Sequence, residues 1–541
     1  MANEEFDALE REVVDHVFEL YPPSAVGLGL HAYDGRLPLS DRSATDRWLS
    51  EAARFQARLK KAGTENLSED RQIDRLLLEL LLAGPQFDLA EIQEFDRNPM
   101  GYLASLSMTS YIAREYAPAP KRVEGIVRLL EAIPAYLEGG RRRLRDVLPR
   151  PFVSLAISMA QGLPSHFAEA EDFARRESQA LGDRVAAART AAEAGLQAFL
   201  EDLQTRRLPK ASDAFALGPK LYQRLLYVRE GIERPFAEIE KAGRADLERN
   251  QRRLEQIARE SGKTIPQLLE HPNADHPTAA ELIPTARSLV EGARRFVEEH
   301  ALATIPEGAR VRVEETPAWG RSLSTASMES PGPFETSSDE GIYYVTPVDP
   351  AWTPTQQEEW LRSLNREMLA NITAHEVYPG HYLQFLHLRR AKGSLARKVY
   401  LSPSFVEGWA HYTEQLVIEE GFGAPAVGAE VAQLHDALLR DCRLLSSIGL
   451  HTAGWSVARA TELIEKEAHF EHHPAEREAI RGTYNPEYFC YTLGKLAILD
   501  VRAKVLRTQF GGSLRGFHDT LLDFGCPPLG LLERLMARAA A

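Results

Sequence analysis

Apolar side chains recur at helical spacing from about Ser40 to Ala301. One such stripe has the i, i+3, i+4 repeat that places side chains on the buried face of a helix, at Ile73, Leu76, Leu77, Leu80 and Leu81. Residues Glu4–Leu20 predict an amphipathic helix that ends before Pro22, because proline cannot continue a helix. The pattern therefore predicts a helical N-terminal lobe, which we place at residues 1–304.

The pattern changes between Ile305 and Pro347, where strand-like segments replace the helical repeat. Arg310–Glu314 alternates between polar and apolar residues, and Gly341–Pro347 is rich in β-branched and aromatic residues, so each predicts a strand. The polar sequence between them predicts a long loop that could serve as a lid. We expect the second strand, which carries Tyr344, to lie at a sheet edge and to bind an extended peptide by backbone pairing. A purely structural hairpin fits the same pattern.

A helix with a well-defined start follows the predicted sheet. Thr353 suits the N-cap, Pro354 suits the first helical position, and Gln356 completes a capping box. We predict that this helix runs to Tyr378 and belongs to a catalytic lobe at residues 305–541. The predicted fold is thus mainly α: a multi-helix, two-lobed body with a small β-sheet beside the active-site helix.

The composition is that of a globular protein with an acidic surface. Of the 541 residues, 44% are hydrophobic and 26% are charged, and the net charge is -14. This charge repels phosphate backbones and argues against nucleic acid as a partner. Three distant cysteines do not suggest a disulfide framework, and there is no apolar run of the length that a membrane span needs. Together with the acidic N-terminal residues, these features predict a cytoplasmic protein without a membrane partner.

Two histidines and a glutamate fall within His375–His381, where the residue types suit a catalytic zinc site. Zinc binds imidazole nitrogens and carboxylate oxygens, and a catalytic site uses three protein ligands. In the H-E-x-x-H pattern the histidines are four residues apart on one helix face, beside a glutamate that acts as a base. Here the spacing is six, which on a regular helix would separate the two side chains by about 120°. Pro379 and Gly380 lie between them, so we predict a break in the helix that returns His381 toward the metal.

A second polar stretch downstream offers a third ligand. Glu407, His411 and Glu414 are spaced i, i+4 and i+7 and therefore share one helix face. We choose Glu407 as the third ligand, with His411 either behind the ligands or as an alternative ligand. Glu414 is suited to bind the second nitrogen of a ligand histidine. The same residues could instead form a solvated helix face, and His375 could be an ordinary core histidine.

These motifs, in this order, resemble the bacterial family known as domain of unknown function 885. Its signature is similar to H-E-x-x-P-G-H-x-x-Q followed by E-G-W-A-x-Y, here His375–Gln384 and Glu407–Tyr412. An arginine, G-L-H-x-x-G-W and Y-x-x-G come next, here Arg443, Gly449–Trp455 and Tyr491–Gly494. The resemblance covers nearly the whole chain and implies a helical, zincin-like metallopeptidase.

We therefore predict a zinc-dependent hydrolase, and specifically a peptidase, that holds one Zn²⁺ per chain on His375, His381 and Glu407. Glu376 would act as the general base toward water. Two other functions fit the same residues: a metal-dependent hydrolase of a small non-peptide amide or ester, and a non-catalytic helical binding protein with a structural metal. A structural zinc has four protein ligands and does not need Glu376.

Residues further along the chain are candidates for contact with the substrate. His451 or Tyr491 would stabilise the developing oxyanion. Arg443 would bind the C-terminal carboxylate of a substrate by bidentate contacts, as in a carboxypeptidase, or would form a plain ion pair with a nearby acid. Tyr488 is a further candidate for substrate binding.

Overall fold

The computed structural model describes residues 3–62, 67–270, 275–317, 320–321, 324–423 and 426–538. The described chain is mainly helical and contains one small sheet of three strands. The predicted mainly-α class and the small β-sheet are therefore confirmed.

The helices and strands are listed here in chain order. The helices of residues 3–270 are α1 (Asn3–Leu20), α2 (Pro22–Gly27), α3 (Arg42–Ala62), α4 (Glu69–Gln86), α5 (Glu94–Arg97), α6 (Met100–Ala104), α7 (Thr109–Ala113), α8 (Ala119–Arg143), α9 (Arg150–Glu177), α10 (Gln179–Glu201), α11 (Pro219–Glu230), α12 (Phe236–Glu260) and α13 (Ile265–Glu270). The helices of residues 282–538 are α14 (Leu282–Glu299), α15 (Pro354–Ser363), α16 (Arg366–Glu376), α17 (His381–Arg390), α18 (Leu395–Val399), α19 (Pro403–Glu419), α20 (Gly428–Thr452), α21 (Val457–Ala468), α22 (His472–Tyr484), α23 (Cys490–Val505), α24 (Leu514–Leu522) and α25 (Leu529–Arg538). The strands are β1 (Arg310–Glu315), β2 (Ala326–Glu329) and β3 (Glu340–Val345).

The chain forms two compact units. The first contains Met1–Phe215 with Pro331–Ser338 and Ser394–Tyr400, and the second contains the rest of the chain, which is Ala216–Ser330, Asp339–Gly393 and Leu401–Ala541. The sequence suggested a boundary between residues 304 and 305, whereas helices α11–α14 belong to the unit that carries the sheet. Phe215 lies in a non-helical connection at residues 211–218, one of several in the helical region, so hydrophobic periodicity does not mark it as a unit boundary.

The first unit is built from packed helices. α8 and α9 both pack on α10, and α1 packs on α3 and α4. α8 buries Leu130, Ile133 and Leu137 along one face. Gly195 of α10 lies against α8, where an added Cβ would come within 2.9 Å of the Pro134 Cα. The small residue thus sets how closely these two helices approach.

A charged cluster joins the segment Pro331–Ser338 to the first residues of the same unit. His31 Nδ1 lies 3.1 Å from Asp34 Oδ1, and its Nε2 lies 3.0 Å from Glu335 Oε2. Tyr116 stacks on the imidazole ring and donates its hydroxyl to Asp34 at 2.8 Å. Burial alone would lower the pKa of His31, but its hydrogen bonds to the two acids raise it. Burial alone would raise the pKa of Glu335, but hydrogen bonds from His31 and Ser337 lower it to about 2.

The sheet of the second unit has the strand order β1-β3-β2, with β3 parallel to β1 and antiparallel to β2. Tyr344 on β3 pairs with Glu314 on one side and with Ser327 on the other. The prediction that this strand lies at an edge is therefore wrong, because both sides of its backbone are already paired. β2 lies in the predicted loop and was not predicted, since Ala-Ser-Met-Glu has little of the β-branched or aromatic character of strands. Residues 318–319 and 322–323 of that loop lie outside the described residues.

The long helix predicted after Thr353 is two helices. Its capping box with Gln356 is present as predicted. The chain then has a second N-cap, Asn365, whose side chain accepts a hydrogen bond from a backbone N–H and begins α16. Asparagine is among the residues that favour this position, so the sequence contained the signal for a break.

α19 and α23 of the second unit approach closely through two glycines. A methyl group on Gly494 would lie 2.7 Å from the Gly408 Cα and would overlap the carbonyl oxygen of Ser404. Only glycine allows two backbones this close. Glu407 and Tyr491 lie within three residues of these glycines, so the helix contact also fixes two candidate site residues.

We predict that Gly494→Ala lowers the free energy of unfolding by about 1–3 kcal/mol, because the added methyl forces α19 away from α23. The matched control is Gly292→Ala in α14, where an added Cβ meets nothing within 4 Å. That change should be neutral or stabilising by up to about 1 kcal/mol, since alanine is the better helix former. Thermal and urea unfolding of both variants test the prediction, and equal stabilities would contradict it.

We also predict that His31→Asn destabilises the protein by about 2 kcal/mol in a defined pH window, because it removes hydrogen bonds to charged groups. The pKa of His31 is raised in the folded protein, so its contribution to the free energy of unfolding is complete below pH 6.5. That contribution is lost as the pH rises through the folded pKa. The pKa of Glu335 is lowered in the folded protein, so its contribution to the free energy of unfolding is complete above pH 4.5. That contribution is lost as the pH falls toward the folded pKa of about 2. The difference in unfolding temperature should therefore be largest between pH 4.5 and 6.5.

The control for this window is His472→Asn. His472 makes a similar contact with Glu465 at 2.7 Å, but its side chain is 72% exposed. Exposed pairs contribute little, so this variant should unfold like the parent at every pH. A pH-independent effect of His31→Asn would rule out the ionic origin of the stabilisation.

Candidate metal centre

The turn between α16 and α17 brings the two motif histidines together. α16 ends at Glu376 and α17 begins at His381, so the predicted break in the helix is confirmed. The Tyr378–Pro379 peptide is cis. Trp409 of α19 donates its indole N–H to the Pro379 carbonyl at 2.9 Å. A Cβ on Gly380 would overlap the carbonyl oxygen of His375, so the turn requires glycine at that position.

Three potential ligand atoms converge beside this turn. His375 Nε2 and His381 Nε2 each lie 3.6 Å from Glu407 Oε2, and all three ligand atoms lie within 4.8 Å of one another. The two imidazole rings are nearly perpendicular, at 87°. Ligands on a tetrahedral zinc with bonds near 2.1 Å are about 3.4 Å apart. The donor types and their separations therefore fit a zinc ion.

Glu414 accepts a hydrogen bond from His375 Nδ1, the ring nitrogen that is not part of the ligand cluster. Its Oε1 lies 2.6 Å from His375 Nδ1 and 3.1 Å from the guanidinium of Arg440. Arg440 also contacts Asp436 at 3.2 Å, and Asp436 accepts a hydrogen bond from Asn371 of α16. Because a carboxylate only accepts, His375 donates its Nδ1 proton to Glu414, and its Nε2, which could bind a metal after losing its proton, faces the cluster.

The acids around the site favour the protonated form of His375. Burial alone would lower the pKa of His375, but Glu407 and Glu414 raise it to about 10. Burial alone would raise the pKa of Glu407 and of Glu414. Hydrogen bonds from His375 and His381 instead hold the pKa of Glu407 well below its usual range. The charge of Arg440, followed by that of His411, does the same for the pKa of Glu414. Both acids therefore stay ionised, and a potential that attracts a proton also attracts a divalent cation.

Glu376 lies next to this cluster with a carboxylate that is available to a ligand. Its side chain is partly buried and makes no hydrogen bond to the described part of the chain. Burial raises its pKa, and the charges of His375 and His381 oppose that effect. The predicted position of a base beside the ligands is thus compatible with the geometry.

His411 does not join the ligand cluster. It is fully buried, its Nδ1 lies 3.2 Å from Glu414, and its Nε2 has no hydrogen-bond partner among the residues described. Burial and then the charge of Lys495 lower its pKa to about 3, so the ring is neutral. Of the two roles left open for His411, the structure supports the one behind the ligands.

Arg443 and Tyr488 contact the same acid, Glu478 on α22. Arg443 donates two hydrogen bonds to its carboxylate, at 2.8 and 2.9 Å, and Tyr488 donates its hydroxyl at 3.0 Å. Burial alone would raise the pKa of Glu478, but Arg443 lowers it to about 2. Arg443 is therefore the plain ion pair, and neither residue has its polar group directed to a substrate.

Both ring nitrogens of His451 bond to backbone groups, so this residue is not suited to the predicted oxyanion role. Its Nε2 lies 2.9 Å from the Gly482 carbonyl, and its Nδ1 accepts from the Leu217 N–H at 3.4 Å. The ring also stacks with Tyr222. Both nitrogens bond to the backbone, so this histidine connects α20 to neighbouring segments. Tyr491, by contrast, makes no side-chain hydrogen bond within the described chain.

Arg440 and Asp436 were not identified from the sequence, although both support the cluster. A signal was present, because Arg440 precedes Arg443 by three residues and so shares a face of the same helix. An arginine on a buried helix face requires an acidic partner, and its partner Glu414 had already been singled out.

We predict that Glu414→Gln weakens zinc binding by about 10–100-fold, the usual cost of losing the partner of a ligand histidine. The amide keeps the shape of the side chain but loses the negative charge that strengthens its contacts with His375 and Arg440. Competition with a chromogenic chelator measures the affinity. Glu419→Gln, at the end of the same helix, is the control and should bind zinc like the parent. Equal affinities in all three proteins would contradict the role of Glu414.

Two solved structures are similar to this chain over nearly their whole length. One is described as a "putative lipoprotein of unknown function" from Shewanella oneidensis, with 23% identity, a TM-score of 0.78 and coverage of 98% of this chain and 99% of that chain. The other is the "putative lipoprotein" from Colwellia psychrerythraea, with 18% identity, a TM-score of 0.80 and coverage of 99% of each chain. At these identities the likeness shows a shared fold. A comparison with curated proteins gave no match.

The prediction of a cytoplasmic protein is contradicted by these neighbours, because both are described as putative lipoproteins. Lipoproteins are held at a membrane by a covalent lipid, which does not require a spanning helix. In the ranges that the structure describes, no helix is both long and apolar enough to cross a bilayer.

A family profile described as "Bacterial protein of unknown function (DUF885)" matches residues 22–536. The match includes the His375–His381 turn, the third candidate ligand Glu407, and Tyr491. It confirms the family resemblance that the motifs indicated. The chain therefore belongs to the bacterial DUF885 family.

Proposed function

We propose that this protein is a zinc-dependent hydrolase that cleaves amide bonds, and specifically a peptidase. The observation that supports this proposal is the convergence of His375 Nε2, His381 Nε2 and a Glu407 oxygen beside an unpaired Glu376 carboxylate. A zinc held by the first three supplies Lewis acidity, which makes water more acidic and a carbonyl carbon more electrophilic. A structural zinc site would use four protein ligands and leave no position for substrate.

Glu376 is the general base in this proposal. It accepts a proton from the attacking water and passes it to the leaving nitrogen. Burial raises its pKa, which is the direction required of a carboxylate that must act first as a base and then as an acid. The hydrogen bond from His375 to Glu414 keeps the neighbouring ligand in place while this proton moves.

Tyr491 is the remaining candidate for oxyanion stabilisation. Its side chain is 8% exposed. Burial and then the charge of Glu407 raise the pKa of Tyr491, so the hydroxyl stays protonated and able to donate. Its ring packs beside the guanidinium groups of Arg440 and Arg443, at 5.7 and 5.2 Å. These contacts fix the ring while leaving the hydroxyl free for a substrate oxygen.

A peptide substrate is favoured by the position of β2 at the edge of the sheet. β2 ends the sheet, pairs only with β3 among the strands described, and packs beside α16 and α17, which carry the histidines. An extended peptide can pair with such an edge through its main chain. We therefore move the predicted peptide-binding strand from β3 to β2. Ligand-bearing helices next to a sheet edge also make the second unit zincin-like in this proposal.

We predict that Glu376→Gln lowers peptide hydrolysis by about 10²–10⁴-fold, the usual contribution of a general base, while zinc content stays at that of the parent. His381→Ala should lose both zinc and hydrolysis. Metal content by mass spectrometry and cleavage of a peptide library measure the two properties. Glu359→Gln, an exposed glutamate on α15, is the control and should change neither.

Two results would reject the proposal. One is a parent protein that contains no zinc even after the metal is added back. The other is a Glu376→Gln variant that cleaves peptides as fast as the parent. A zinc-containing parent that cleaves small esters or amides but no peptide would instead select the alternative substrate class.

A further inference from the structure

Helices α20 and α22 carry three arginines that are buried or partly buried, and the partners of these three differ. Arg440 on α20 contacts Glu414 at 3.1 Å and Asp436 at 3.2 Å. Arg443, also on α20, is bound by both oxygens of Glu478. Two of the three cations are thus neutralised by acids of the protein itself.

Arg481 on α22 is the third arginine, and its side chain forms no ion pair or hydrogen bond with the residues that the structure describes. Its guanidinium lies over the ring of Tyr488, 5.3 Å from the ring centroid. The side chain is only partly exposed. A guanidinium that is partly withdrawn from water normally has a carboxylate partner, because its donors lose hydration without compensation.

The nearby acid, Glu478, attracts Arg481 electrostatically but forms no direct ion pair with it among the contacts described. Glu478, three residues earlier on α22, already binds Arg443 with both oxygens and also accepts the Tyr488 hydroxyl. The Tyr488 ring meanwhile stacks on Arg443 as well as on Arg481, at 5.2 and 5.3 Å. The arrangement holds the Arg481 fork against an aromatic face and leaves its planar set of N–H donors free.

A chain of side-chain contacts connects Arg481 to the candidate ligands. Arg481 lies over the Tyr488 ring, and the Arg443 guanidinium lies 5.2 Å from the ring centroids of both Tyr488 and Tyr491. Tyr491 is one turn before Gly494, where α23 contacts Gly408 of α19, the neighbour of Glu407. Arg481 is therefore on the side of the candidate metal site where Tyr491 lies.

We infer that Arg481 forms a carboxylate-binding subsite beside the metal centre and selects substrates that carry a carboxylate near the bond to be cleaved. The guanidinium matches a carboxylate by two parallel hydrogen bonds. The carboxylate belongs either to the C-terminus of the substrate or to an acidic side chain. The inference deepens the proposed function and takes over the role that the sequence suggested for Arg443.

The test uses four small probes that separate the two sources of the carboxylate. N-acetyl-phenylalanine has a terminal carboxylate, and its amide does not. The amide of N-acetyl-aspartate has only a side-chain carboxylate, and the amide of N-acetyl-asparagine has none. Binding of each probe to the zinc-loaded protein is measured by calorimetry, independently of any catalytic activity.

We expect at least one carboxylate probe to bind about tenfold or more tightly than its uncharged partner. Arg481→Met should abolish that preference, and Arg481→Lys should retain only part of it, since lysine keeps the charge but loses the fork. Arg477→Met is the control, because Arg477 is exposed and lies one turn earlier on α22. If Arg481→Met loses the preference only for the terminal carboxylate, the subsite recognises the C-terminus of a substrate, as in an exopeptidase. If it loses the preference only for the aspartate probe, the subsite recognises an acidic side chain.

The inference is overturned if carboxylate and amide probes bind equally to the parent, or if Arg481→Met and Arg481→Lys both keep the parent's preference. Circular dichroism and zinc content confirm that each variant is folded and loaded. Hydrolysis is scored separately. Carboxylate binding through Arg481 without any amide cleavage would contradict the proposed function and support this subsite. Cleavage that is indifferent to the carboxylate rejects the subsite and keeps the function.

Discussion

The second unit depends on one buried carboxylate. Glu414 is fully buried, and an ionised carboxylate without partners would cost several kcal/mol at such a depth. It is stabilised by His375 from α16, His411 from its own helix and Arg440 from α20. Because the penalty is offset only when all of these partners are in place, three helices are held in one arrangement. The position of the candidate metal ligand His375 follows from that arrangement.

Close backbone packing fixes the other side of the site. Gly408 and Gly494 let α19 and α23 approach to backbone contact, and Glu407 and Tyr491 lie within three residues of these glycines. Trp409 connects α19 to the turn at Pro379 by a hydrogen bond. The candidate ligands are therefore placed by elements that pack on one another, and this packing restricts their movement.

The arginines near the cluster differ in whether they form an ion pair with an acid of the protein. Arg440 and Arg443 neutralise acids that belong to the protein, and their effect is to orient Glu414 and Glu478. Arg481 has no such acid among the residues described, which distinguishes it from two neighbours of the same residue type. Identity of residue and proximity to the site are thus insufficient to assign a substrate role, because the role depends on which donors remain unused.

The sequence by itself determined the helical class, the break at Pro379 and Gly380, and the residue types of the candidate ligands. These features depend on local rules: hydrophobic periodicity, the backbone limits of proline and glycine, and side-chain chemistry. Only the tertiary structure showed that β3 is a central strand, that Arg443 is paired with Glu478, and that His451 bonds to the backbone. Each of these outcomes depends on which distant segment supplies the partner. Local patterns contain no information about that choice, since strand order and ion pairing are decided by the packing of the whole unit.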